Sequence, residues 1–234
     1  MAAQPCVPYA AEGIRSQFRL MQSTPLSTAV HVLDSGLAGP VSLVIGGLHG
    51  DEPAGMEAAR QLAAKKPARG KMIVIPVANR LAAESNVRTP HFMQDLNRSF
   101  PGTRKGTDTE RLAASIMDVI ARYRPAVAID LHEAGSESDP GWKETANSLI
   151  LSEGTGAAEI ALTVLEAMNP ARGGQPFTYL SGAPVGSFNR EVARRFNIPV
   201  ITVETSRRDA MPSRVETQID IVKRIHAAIE SAVR

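Results

Sequence analysis

Apolar runs of strand length alternate with helical patterns along this chain, and no other feature of the sequence constrains its fold as strongly. Runs that suit buried strands occupy residues 41–45, 72–78, 126–131, 148–151 and 199–203. Helical patterns lie between these runs and after the last of them, at residues 53–66, 108–123, 157–168, 188–196 and 213–233. This alternation predicts an α/β fold, with a mixed, mostly parallel sheet and helices on both of its faces.

Local signals mark some element boundaries and leave one long segment without assignment. Pro53 suits the first turn of a helix, and Asp108 is expected to cap the helix that it opens. Residues 79–107 show few helix or strand signals. Loops of that length in compact domains are usually functional or disordered, so we expect this segment to carry functional residues.

Composition excludes several classes of protein. Apolar residues make up 43% and charged residues 21% of the chain, an ordinary globular mixture. The formal net charge is +2, with Lys and Arg dispersed, so neither a nucleic acid nor a membrane surface is an expected partner. Cys6 is the only cysteine, and residues 1–12 lack the pattern of a signal peptide. We expect a cytoplasmic protein, and the sequence leaves formation of a homo-oligomer open.

Polar side chains follow three of the predicted strands. His49 and Glu52 come after the first strand, His132 and Glu133 after the third, and Glu204 after the last. Ligands of open α/β sheets bind beyond the carboxyl ends of the strands. We therefore expect these side chains to share one site.

Three of these residues have the chemistry of a catalytic zinc site. Catalytic zinc commonly takes two His and one carboxylate, with a fourth position open to water. His49, Glu52 and His132 would supply that set and hold one zinc per chain. Taken alone, a His-x-x-Glu pair is more often a solvated turn than a metal site. His132 alone would likewise more often be a hydrogen-bonded histidine at a strand end than a metal ligand.

Four short motifs, in order, resemble those of the succinylglutamate desuccinylase/aspartoacylase family, a branch of the zinc carboxypeptidase superfamily. They are GLHGDE at 47–52, DLNRSFPG at 95–102, DLHE at 130–133 and VET at 203–205. The resemblance implies a zinc carboxypeptidase-like fold and a hydrolase of amide bonds. It also implies that His49, Glu52 and His132 are the zinc ligands and that Glu204 is the general base.

The same resemblance assigns residues that bind substrate. Asn97 and Arg98 match the pair that grips a substrate carboxylate, and Arg88 matches the arginine that faces the scissile carbonyl. Tyr179 resembles the mobile tyrosine of the carboxypeptidases. In this chemistry zinc lowers the pKa of a bound water, and Glu204 transfers that water's proton to the leaving amine. A planar guanidinium suits bidentate binding of a carboxylate.

Structural roles compete with each of these assignments. Arg98 would otherwise be a surface residue, and Glu204 would form an ion pair with Arg207 or Arg208. Tyr179 is more often a packed or rim aromatic side chain. Glu133 would lie beside the metal ligands or, equally, in a solvated loop.

The sequence departs from the family pattern at two places. Asn79-Arg80 replaces the usual Asn-Pro, which leaves Arg80 as an alternative to Arg88. Only 30 residues follow Glu204, and they fit one helix. We therefore expect residues 1–234 to form a single catalytic domain without a C-terminal β domain. Its cleft would be open, or walled by residues 136–143, residues 173–184 or another subunit.

Two enzymatic hypotheses use the same centre. The first is a deacylase that acts on an N-acyl amino acid or a similar small carboxylate, and the alternative is a zinc carboxypeptidase that acts on a short peptide C-terminus. A binding module without catalysis is disfavoured because all three ligands and Glu204 are present. A nucleotide-binding protein is disfavoured because the glycines at 46–50 lack the spacing of a phosphate-binding loop.

Overall fold

The computed structural model describes residues 13–135, 145–172 and 176–232. Within them, eight strands form one sheet in the order β1-β2-β4-β3-β5-β8-β6-β7. The strands are β1 (Arg15–Leu20), β2 (Thr28–Asp34), β3 (Val41–Gly46), β4 (Lys71–Ile75), β5 (Val127–Ala134), β6 (Ser148–Leu151), β7 (Thr178–Ser181) and β8 (Val200–Ser206).

Helices connect most of these strands. The described part of the chain contains α1 (Pro53–Ala63), α2 (Arg80–Ser85), α3 (Asp108–Tyr123), α4 (Ala157–Met168), α5 (Phe188–Phe196) and α6 (Met211–Ala232). Two short 3-10 helices cover Leu96–Arg98 and Asn169–Ala171. No helix among the described residues is both long and apolar enough to cross a membrane.

Two hydrophobic cores lie on opposite faces of the sheet, as the α/β prediction requires. One core joins α1, α4 and α6 to side chains such as Val44 and Ile129. The other joins α3 and α5 to side chains such as Leu43 and Ala128, the immediate neighbours of the first set on the same strands. Since successive side chains of a strand point to opposite faces, the central strands are buried from both sides. The predicted fold class is confirmed.

Four central strands run parallel to one another: β4, β3, β5 and β8. In this register His132 of β5 lies directly beside Glu204 of β8, and Gly46 of β3 lies beside Leu131 of β5. The carboxyl ends of three neighbouring strands therefore meet at one edge of the sheet. This edge carries His132 and Glu204 near the ends of β5 and β8, and His49 and Glu52 just after β3.

Three strands and one helix were not predicted. β1 and β2 form an antiparallel extension of the sheet beyond β4, and β7 is the opposite edge strand. Both edge strands are short and largely exposed, so their sequences lack a continuous apolar run. The segment 79–107 contains α2 and the 3-10 helix Leu96–Arg98 rather than an unbroken loop.

The predicted cap of α3 was wrong by one residue. The N-cap is Thr107 rather than Asp108, and its side chain accepts a hydrogen bond from the backbone N–H of Glu110. The Glu110 side chain accepts in turn from the Thr107 backbone N–H, which completes a capping box. Several boundaries also shift. Most notably, β5 continues to Ala134 and so includes His132.

Candidate active site

A cleft of about 420 Å³ opens at the carboxyl ends of β3, β5 and β8. The predicted ligands, the predicted base and three of the predicted substrate-binding residues line it: His49, Glu52, Arg88, Asn97, Arg98, His132 and Glu204. Other residues of the described wall come from β6, from β8, from the start of α5 and from the segment before it, including Ile150, Thr202, Asn189, Ser187 and Ala183. The fold thus brings distant parts of the sequence to one site.

The turn between β3 and α1 carries the first two candidate ligands. Gly47 has a φ of +67°, a conformation that side chains other than glycine rarely adopt. Gly50 packs against α2 so closely that a Cβ atom there would lie 1.9 Å from the carbonyl carbon of Ala82. These glycines let the chain reverse sharply, so His49 and Glu52 face the same point from either side of the turn.

The carboxylate of Glu52 lies between two imidazole rings. His49 Nδ1 is 2.8 Å from Glu52 Oε1, and His132 Nδ1 is 2.6 Å from Glu52 Oε2. All three side chains are buried, and one ligand atom from each lies within 4.8 Å of the others. Two imidazole nitrogens and one carboxylate at this spacing fit the donor set of a catalytic zinc site.

Mutual charge interactions shift the pKa of each member of this cluster. Burial alone would raise the pKa of Glu52, but the neighbouring His132 and His49 outweigh it and hold that pKa below its usual value. Burial opposes the charged form of both histidines. Even so, Glu52 raises the pKa of His49, and Asp130 together with Glu52 raises that of His132 well above its usual value. These charge interactions stabilise the anionic form of Glu52 and oppose the effect of burial on the two histidines.

Two aspartates orient the histidines from outside the cluster. His49 Nε2 is 3.2 Å from Asp95 Oδ1, and His132 Nε2 is 2.9 Å from Asp130 Oδ2. Hydrogen bonds of this kind fix the ring orientation of metal-ligating histidines. Sequence reasoning missed both aspartates. Asp130 could have been found, because a residue two positions before His132 in the same strand points to the same face of the sheet.

Glu204, the predicted base, lines the cleft next to His132 across the β5–β8 pairing. It is partly buried, and burial together with the charges of Glu52 and Asp130 raises its pKa to about 8, although His132 and His49 oppose that shift. A divalent cation nearby would favour the charged form and lower this pKa. Arg207, considered above as its ion-pair partner, instead lies 3.3 Å from Asp51.

Asn97 and Arg98 enter the cleft from the 3-10 helix. Asn97 is buried, with Oδ1 accepting from the Phe188 N–H at 2.9 Å and Nδ2 at 3.2 Å from His132 Nε2. Arg98 is exposed, and its guanidinium donates to the backbone oxygen of Asn97 at 2.7 Å. Among the described residues, no carboxylate forms an ion pair with Arg98, so its guanidinium group can bind an external anion.

The two alternative arginines lie in different places. Arg88 lines the cleft, 3.1 Å from Asp95 Oδ2 and 3.8 Å from Glu52 Oε1. Arg80 lies in α2, outside the cleft lining, and pairs with Glu84. The geometry therefore favours Arg88 as the cleft arginine.

Other predicted features lie away from the cleft or outside the described residues. The structure does not bring Tyr179 to the site, since it lies on edge strand β7 with 54% of its surface exposed and is not part of the described lining. The proposed wall at residues 136–143 lies outside the described residues, as does the start of the segment 173–184. Ala183 and Pro184, at the end of that segment, do line the cleft.

Comparison with known proteins finds the same family that the sequence motifs resemble. The profile of the succinylglutamate desuccinylase/aspartoacylase catalytic domain matches residues 38–217. An N-alpha-acetyl-L-2,4-diaminobutyric acid deacetylase from Halomonas elongata is 37% identical over 105 residues, which cover 43% of this chain and 30% of that relative. The chain thus matches less than a third of the length of this curated relative.

Solved structures share the fold at low sequence identity. The product-bound ectoine utilization protein from Ruegeria pomeroyi superposes with a TM-score of 0.71 at 22% identity, over 97% of this chain and 70% of that one. A cell shape determinant from Helicobacter pylori, a D,L-carboxypeptidase, superposes with a TM-score of 0.70 at 19% identity, over 82% of this chain and 51% of that one.

The geometry of the cluster predicts metal content. We expect the purified protein to contain about one zinc per chain, and both His49→Ala and His132→Ala to lose it, because each variant removes one of three ligands. The measurement is elemental analysis of each purified protein. His91→Ala, which changes an exposed histidine, is the control and should keep its metal. Undiminished zinc in both ligand variants would refute the site.

Proposed function

The chain belongs to the succinylglutamate desuccinylase/aspartoacylase family, and on that premise we propose that it is a zinc-dependent deacylase. Its substrate would be an N-acyl amino acid or a similarly small molecule with a free carboxylate. One observation carries the proposal: a buried His-Glu-His cluster lies in the same cleft as Glu204 and an arginine without an ionic partner among the described residues. The named substrate of the Halomonas relative, an acylated amino acid, supports the same class.

The positions of the protein's own side chains support the following roles. Zinc, when bound by His49, Glu52 and His132, supplies a Lewis acid for water and for the scissile carbonyl. Glu204 takes a proton from the attacking water and passes it to the leaving nitrogen. Arg88, at the mouth of the cluster, stabilises the negative charge that develops on the carbonyl oxygen.

Arg98 gives the proposal its substrate class. Its guanidinium lies on the cleft wall and contacts a backbone oxygen but no carboxylate in the described part of the chain. A planar guanidinium binds a carboxylate through two parallel hydrogen bonds. Asn97 would contribute its amide nitrogen, because a carboxylate needs a hydrogen-bond donor and the Asn97 oxygen accepts from Phe188.

A carboxypeptidase acting on a short peptide is the alternative. The same arginine would bind a peptide C-terminus, and the same cluster would cleave the preceding amide. A hydrolysis screen that compares N-acyl amino acids with short peptides separates the two functions. Faster turnover of the peptides would favour the alternative.

The proposed base predicts a separation of metal binding from turnover. We expect Glu204→Gln to keep its zinc and to lose on the order of 10²-fold or more in kcat, because an amide cannot accept the water's proton. Turnover and zinc content are measured on the same preparation. Glu159→Gln, an exposed site on α4, should behave as wild type. Loss of zinc would make Glu204 a ligand, whereas wild-type turnover would leave the mechanism without its base.

The proposed binding of a substrate carboxylate by Arg98 predicts two losses of kcat/KM that do not add. We expect Arg98→Ala to lose most of kcat/KM, amidation of the substrate carboxylate to lose a similar amount, and the two changes together to lose little more. Arg98→Lys should recover only part of the kcat/KM that Arg98→Ala loses, since an ammonium cannot form both parallel hydrogen bonds. The measurement is kcat/KM for each enzyme on free-acid and amide substrates.

Arg104→Ala, at a highly exposed arginine that pairs with Asp118, is the control and should keep the full penalty for amidation. Simple addition of the two losses in Arg98→Ala would mean that Arg98 does not touch the carboxylate.

A further inference from the structure

The helix that follows the ligand turn is not capped by its own N-cap residue. Glu52 is the N-cap of α1, but its side chain makes no capping hydrogen bond because both of its oxygens face histidines. The first backbone N–H groups of a helix have no partner within the helix and normally bond to the N-cap side chain. The start of α1 therefore needs an acceptor from elsewhere.

Glu133 of β5 supplies that acceptor. Its Oε2 accepts a hydrogen bond at 2.8 Å from the backbone N–H of Ala54, the second residue of α1. Its Oε1 accepts from the guanidinium of Arg214 in α6. The Glu133 side chain is fully buried, so it is not the solvated loop carboxylate considered above.

We propose that Glu133 is a positioning residue that caps α1 in place of Glu52 and so leaves the Glu52 carboxylate free to hold the metal. The inference rests on the proposed zinc site. Glu133 suits this role because it directly follows His132 in β5. The same strand therefore carries one proposed metal ligand, His132, and the cap of α1, the helix that begins after another proposed ligand, Glu52. The Glu133 backbone N–H also donates a hydrogen bond to Glu52 Oε2, with 3.3 Å between nitrogen and oxygen, so Glu133 contacts Glu52 directly as well.

The two contacts of Glu133 require a carboxylate of this length. Ala54 and Arg214 both donate, so the side chain must present an acceptor to each of them. A glutamine has one acceptor oxygen and would turn its NH₂ group toward one of the donors. An aspartate keeps the charge and both acceptors but is one methylene shorter, so it cannot span from β5 to Ala54 while it holds Arg214.

The experiment measures zinc affinity rather than activity. Metal-free wild type, Glu133→Asp and Glu133→Gln compete for zinc with a chromogenic chelator, and circular dichroism confirms that each is folded. We expect both variants to bind zinc 10- to 100-fold more weakly, the loss typical of removing a partner that orients a ligand. Glu133→Asp separates positioning from charge, since it leaves the local net charge unchanged.

Thr107→Ala is the matched control. It removes the side-chain cap of α3, a helix that carries none of the ligands, and should lower thermal stability without changing zinc affinity. Wild-type affinity in Glu133→Asp would overturn the inference even if Glu133→Gln were weak, because only charge would then matter. A wild type without zinc affinity would overturn the proposed function itself. Strong wild-type binding that both Glu133 variants retain would overturn only the inference.

Discussion

The site depends on the contact of one buried carboxylate with two buried imidazoles. Glu52 reaches His49 within its own turn and His132 from a strand 80 residues further along the chain. Isolated charges are costly to bury, and these are tolerated because each has partners at hydrogen-bond distance. The parallel pairing of β3 with β5 makes the contact possible, since it places the two strand ends side by side.

Further layers of polar contacts hold this cluster. Asp95 and Asp130 lie behind the histidines on the sides away from Glu52, so each imidazole is held between two acidic groups. Two side chains of α6 contact residues of β5 at the cluster. Arg214 donates to the Glu133 carboxylate, and Gln218 donates to the backbone oxygen of His132 at 2.8 Å. In contrast, Arg98 stands at the exposed side of the cleft without a carboxylate among the described residues. The protein thus provides polar partners for the groups proposed to hold the metal and leaves available the group proposed to bind substrate.

The sequence predicted the features that depend on burial and periodicity. The central strands and α3 to α6 have continuous apolar runs or helical faces, so their class and most of their positions followed from local pattern. The edge strands β1 and β7 were not predicted because they are stabilised by their neighbours and need no apolar run of their own. β2, which lies between β1 and β4, was not predicted either, because its buried residues do not form a continuous run. The candidate ligands could be named because strand ends gather at one edge of such a sheet. Asp95, Glu133 and Arg214 could not be assigned their roles, because each depends on which partner the tertiary fold brings near.

The most direct test of this account is the position of the metal. Crystals of the zinc-loaded protein, measured on both sides of the zinc absorption edge, give an anomalous map that locates zinc independently of the protein atoms. The account predicts one strong peak about 2.0–2.2 Å from the Nδ1 atoms of His49 and His132 and from a carboxylate oxygen of Glu52, with Glu204 outside the ligand set. A peak bound through the Nε2 atoms, or a site elsewhere with this cluster empty, would contradict it.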